Sequence, residues 1–63
     1  MSNESMKDET RKLLMMALQN DELVDQWLNG YNHAFKMTPQ EMIDIKREDE
    51  VISYLDFIVY GPY

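Results

Sequence analysis

The sequence predicts an all-α fold, a compact bundle of about four short helices in one domain over residues 1–63. Three observations carry this. In the densest apolar run, Val51, Ile52, Leu55, Ile58 and Val59 recur at i, i+1, i+4, i+7 and i+8, one face of an α-helix. Thr38-Pro39-Gln40-Glu41 is a helix start: threonine caps, proline suits the first helical position, and the glutamate three residues after the cap reaches back to it. Gly30 and Gly61-Pro62 stand where helices are expected to stop, Gly61 by a left-handed closing turn and Pro62 by breaking the ladder.

Taken in order, residues 1–5 are polar and expected to fray. Met6, Thr10, Leu13, Leu14, Ala17 and Leu18 then form a helical stripe through about Gln19. Acids precede bases along this segment, as the helix dipole favours. Met15 and Met16 fall off the stripe and read either as gap-filling core or as an adaptable contact surface. Asn20 or Asp21 caps a second helix from about Glu22 to Asn29, with Leu23, Val24, Trp27 and Leu28 as its apolar face. Trp27, the only tryptophan, is the expected core anchor, with an interface hot spot as the other reading. Asn32 caps a single turn holding His33, Ala34 and an inward Phe35.

The third helix starts at Pro39, turns Met42 and Ile43 inward, and runs to about Ile45 or Lys46. Lys46-Arg47-Glu48-Asp49-Glu50 reads as a solvated hinge, its bases matched to one helix end and its acids to the next helix start. The other reading of this run is an electrostatic patch for a partner. The orientations of Met15, Met16, Tyr31 and Tyr54 stay open at this stage.

Sixty-three residues form a small core, and with no cysteine neither a disulfide nor a thiolate metal site adds stability. Association with a partner or as a homodimer is the expected supplement. Twelve acids against six bases give a net charge of −6, which argues against gripping nucleic acid and is compatible with a basic partner. No apolar run has the length of a membrane span, and Met1-Ser2-Asn3-Glu4 lacks the positive start of a secretion signal, so the expected location is cytoplasmic.

No catalytic, cofactor-binding or metal-binding residue emerges. Ser53 has no base beside it in sequence, and no phosphate-cradling glycine loop is present. His33 stands alone and reads as a surface or loop group. Glu48 and Glu50 read as surface charges rather than a buried acid/base pair. The expectation is a protein without enzymatic activity or cofactor.

From Val24 to Gly61 the chain also resembles a known pattern. Trp27-Leu28 is followed by Asn32, then Ala34-Phe35, then Pro39 with apolar residues at 42 and 43. After a charged gap come Val51-Ile52, Leu55, Ile58 and Tyr60-Gly61. This is similar to the C-terminal toxin-binding domain of Xre/MbcA/ParS-type antitoxins. The family's Gly-Gly turn is replaced by Lys36-Met37, and the glycine before its last helix by Arg47 or Glu48. Family members often carry a DNA-binding helix-turn-helix as well. That function is not carried over, because so little sequence precedes the match.

The resemblance implies binding to a RES-domain toxin, a class similar to ADP-ribosyl transferases that depletes NAD, with the antitoxin's C-terminal end blocking the active site. Carried across, the partner-binding residues are Tyr60, Gly61, Pro62 and Tyr63. The other reading of that end has Tyr60 capping the core. A runner-up function is a small acidic phage-type inhibitor or nucleic-acid mimic acting on a defence or DNA-binding protein.

Overall fold

A computed structural model describes residues 6–61, and among them the fold is an all-α bundle of four short helices. These are α1 (Asp8–Leu18), α2 (Asp21–Asn29), α3 (Pro39–Asp44) and α4 (Glu48–Tyr60). Three boundaries have a local cause. α1 ends because Gln19 turns left-handed at φ 59°, its N–H bonding the Met15 carbonyl. Asn20 then caps α2, its Oδ1 accepting from the N–H groups of Glu22 and Leu23 at 2.8 and 3.2 Å. The capping box at α3 closes in both directions, with Thr38 Oγ1 accepting from the Glu41 N–H at 3.1 Å and Glu41 Oε1 from the Thr38 N–H at 3.0 Å.

Between α2 and α3 the chain folds into one tight turn. Asn32 Oδ1 accepts from the Ala34 N–H, and the Asn32 carbonyl accepts from the N–H groups of Phe35 and Lys36. Lys36 sits at φ 62°, and the Asn32 N–H closes the turn on the Met37 carbonyl. Phe35 packs inward against the core, as the sequence suggests.

α1 packs on α4 and α2, while α3 packs on α4 and α2. No Cα of α1 approaches one of α3 within 8 Å, nor one of α2 an α4 Cα. The helices thus occupy the corners of a square, in the order α2, α1, α4, α3. The core between them is Leu13, Leu14, Val24, Leu28, Met42, Ile43, Val51 and Leu55. A chain of this length holds roughly 3–9 kcal/mol of stability in total. Truncating one such side chain costs about 2–5 kcal/mol, so each is close to indispensable.

The charged junction before α4 departs from expectation. Glu48 is 7% exposed and is no surface charge. Its Oε2 accepts a hydrogen bond from the Lys7 backbone N–H at 2.8 Å and another from the Thr10 hydroxyl at 2.5 Å. Thr10 itself is fully buried. Lys7, the residue capping α1, makes no side-chain cap of its own, so Glu48 performs that role across the fold. The carboxylate lies in the first turn of α4 and at the start of α1, where both helix dipoles favour negative charge. Asp49 and Glu50 remain exposed and pair with Lys7 and Arg47.

This contact also sets direction. The starts of α1 and α4 meet through Glu48, and near their ends the Tyr60 hydroxyl donates to Met16 Sδ at 3.8 Å. α1 and α4 therefore run parallel, and α2, joined to α1 by a tight turn, runs back against both.

Four apolar positions also depart from the expected faces. Leu23, Ala17 and Ile58 are exposed rather than buried, and Trp27 is only partly buried at the core's edge. Ala17 lies in the last turn of α1. Met15, Met16 and Tyr31 are exposed, and Tyr54 is partly buried.

Glu48→Ala is expected to lower stability by about 2 kcal/mol, because two donors lose a charged acceptor. Thr10→Val should cost about 1 kcal/mol, and the double variant less than the sum. Urea unfolding checks this, and full additivity would contradict the bridge. At Lys46, held at φ 68°, glycine removes a left-handed penalty. Lys46→Gly is expected to raise stability by up to about 1 kcal/mol in the same assay.

Candidate functional site

The last turn of α4 has no polar side. Successive helical side chains are turned about 100° from one another, so Phe57, Ile58 and Tyr60 project in three directions. They are 59%, 49% and 58% exposed, and only Val59 is turned toward the core. Apolar all round is the pattern of a buried helix, and here the burying surface is not supplied by the rest of the chain. Met16 extends the surface onto α1 through its contact with Tyr60.

Helix lengths explain the exposure. At 1.5 Å per residue, the six residues of α3 span about 9 Å, against about 20 Å for the thirteen of α4. The C-terminal end of α3 shares a groove with the start of α4, lined by Ile43, Lys46, Glu48 and Asp49. α3 thus fills the fourth corner beside the first half of α4 and leaves the second half open. Where it stops, aromatic rings take over. Trp27 stacks on Tyr54 with ring centres 6.3 Å apart, and Phe35 meets Tyr54 edge-on at 5.1 Å. One turn further on, Leu23 of α2 and Ile58 of α4 are 45% and 49% exposed.

Six of the eight large exposed apolar side chains among the described residues gather at one end of the bundle; Tyr31 and Ile45, just past the ends of α2 and α3, do not. Met15, Met16, Leu23, Phe57, Ile58 and Tyr60 belong to the end where α1 and α4 finish and α2 begins. Concentration of this kind marks an interaction surface. Among the sequence-predicted site residues, Tyr60 lies within it, exposed rather than capping the core. Gly61 takes φ 80° and ψ 172°, positive φ but an extended ψ, so the helix does not end by the left-handed closure expected. The conformation favours glycine, and a Cβ at Gly61 would meet nothing within 4 Å. Pro62 and Tyr63 lie outside the described residues.

The sequence reading missed Phe57, Ile58 and Leu23 as site residues and left Met16 open between core and contact surface. The signal was there for Phe57, which stands off the apolar face of its helix.

No protein-family model, characterised protein or solved structure matches the chain. The resemblance to toxin-binding domains thus rests on the residue spacing in the sequence itself.

Other places in the fold offer less. A groove of about 230 Å³, lined by Lys7, Ile43, Lys46, Glu48 and Asp49, lies at the opposite end and falls short of the roughly 300 Å³ at which ligand sites begin. Its charges are already engaged in part, through Glu48 with Thr10 and Lys7 with Asp49. His33 is exposed and meets only the edge of Tyr31, ring centres 5.1 Å apart. Among the described residues no group of three potential metal ligands converges, and no helix is long and apolar enough to cross a membrane.

If the apolar end is held in reserve for a partner, its side chains do little for the fold. Phe57→Ser and Tyr60→Ser are each expected to change unfolding free energy by less than about 0.5 kcal/mol, as exposed substitutions do. A loss above about 2 kcal/mol in urea titration would make them part of the core instead.

Proposed function

We propose that this chain is a non-enzymatic, antitoxin-like protein that binds a RES-type, NAD-depleting toxin and blocks its active site with its C-terminal region. The observation that carries the reading is the last turn of α4, apolar on every side and leading through Gly61 toward the chain terminus. A helix end of this kind gains by entering an apolar pocket. Burying one large side chain there contributes about 1.5–3 kcal/mol before ordering costs. Inhibition then needs no chemistry from the chain: occupying the toxin's active-site entrance excludes substrate.

The backbone supports the same reading at one more point. Lys36, which stands where the family pattern has a Gly-Gly turn, adopts positive φ. Glycine is the residue best suited to that geometry. The positive φ near the start of α4 falls on Lys46, one residue before the position suggested by the family's glycine.

The acidic-mimic reading keeps one observation in its favour, since α2 exposes Asp21, Glu22 and Asp25 and carries no base. Salt separates the two. Mimicry of phosphates predicts affinity falling by orders of magnitude, about 10³-fold or more, between low and physiological salt. An apolar interface predicts a change of only about a few-fold.

The direct test is co-expression with a RES-domain toxin encoded in a neighbouring reading frame, reading growth and cellular NAD. Protection is expected from the full chain. Phe57→Ser and removal of Pro62-Tyr63 should each weaken toxin binding by about tenfold or more, with folding intact by circular dichroism. Undiminished binding by both variants would overturn the C-terminal block.

A further inference from the structure

We infer that Met16 is an oxidation site whose sulfoxide is held by the Tyr60 hydroxyl, so that a peroxide regulates the apolar end of the bundle. The site itself stands on geometry. The regulation rests on the reading of the end of α4 as the binding element.

Five methionines lie among the described residues, and burial sorts them. Met42 is 2% exposed in the core, and Met6 and Met37 pack against that core partly buried. Met15 and Met16 are 36% and 48% exposed, which makes Met16 the most accessible of the five. A thioether reacts where an oxidant reaches its sulfur, so exposure sets the order of attack.

Among the described residues only Met16 receives a hydrogen bond at its sulfur. The Tyr60 hydroxyl donates to Met16 Sδ at 3.8 Å, a bond to a weak acceptor. With hydrogen peroxide, a sulfur lone pair attacks one oxygen and the O–O bond breaks. Sulfur is oxidised by two electrons, and the other oxygen leaves with both hydrogens as water. The product is a polar, chiral sulfoxide. Its oxygen is a stronger acceptor than the thioether sulfur, and the phenol donor already stands beside it. The resulting O–H···O bond is expected at about 2.5–3.0 Å.

The consequence falls on the end of α4. Phe57 lies three residues before Tyr60 on the same helix, and Tyr60 reaches α1 through Met16. The sulfoxide puts a polar oxygen into this apolar surface and ties Tyr60 to α1. A pocket that accepts Tyr60 then has to break the new bond and strip water from the sulfoxide. Peroxide therefore weakens the hold on a partner.

Peptide mapping by mass spectrometry after peroxide treatment of the full chain tests the site. Met16 is expected to oxidise at least about tenfold faster than Met42. The hydroxyl is tested in a Met15→Leu background, with the species oxidised at Met16 isolated. There, sulfoxide formation should shift the urea midpoint upward by about 0.5 M relative to the same step in M15L/Y60F. In the binding arm, peroxide is expected to weaken the affinity of M15L for a RES-domain toxin by about tenfold, and that of M15L/M16L by less than about twofold.

Equal oxidation rates at Met16 and Met42, or a midpoint shift no different without the Tyr60 hydroxyl, would overturn the site. Equal weakening of M15L and M15L/M16L would overturn the regulation. A toxin that fails to bind even the untreated chain refutes the C-terminal block and the regulation with it, while the mapping and unfolding arms still decide the site.

Discussion

The fold hangs on one carboxylate. Glu48 begins α4 yet spends its charge on α1, accepting from the Lys7 N–H and the buried Thr10 hydroxyl. A buried charged acceptor with two donors is worth more than a neutral hydrogen bond, and leaving it unpaired is costly. The contact therefore specifies one arrangement: the two longest helices start together and run parallel. In a bundle this small, a shift of α4 along α1 by one turn would strand both donors and the acceptor.

Parallel alignment has a consequence for the far end. α1 and α4 finish side by side, α2 begins there, and α3 is too short to reach them. The molecule is therefore polarised. One end carries the Glu48 bridge and the ion pairs around it, and the other carries most of the large exposed apolar side chains among the described residues. That polarity, rather than any single residue, is what the proposed binding function rests on, since the last turn of α4 is exposed on three sides.

Much of this was legible in the sequence. The four helices, the capping box at Thr38, the Asn32 turn and the inward Phe35 follow from local chemistry, which neighbouring residues decide among themselves. Glu48 was not legible. Its partners lie about 40 positions earlier in the chain, and in a run of five charged residues nothing local marks one as buried. Ile58 and Leu23 failed differently. Each obeys the periodicity of a buried face, but periodicity assumes that something lies opposite, and α3 stops short of both. Comparing the short pattern after Pro39 with the long one after Val51 was the available clue. Tyr60 was reached through resemblance, and its exposure beside Met16 is what the geometry adds.

The central claim is that the end of α4 is kept free while its start is locked. Residue-resolved amide hydrogen exchange on the isolated chain tests this most directly, because protection follows local burial and packing. The account predicts slow exchange across Leu13–Leu14 and Val51–Leu55, falling steeply from Phe57 to Gly61. Protection at Phe57 to Gly61 as strong as at Val51–Leu55, in the free monomer, would contradict it.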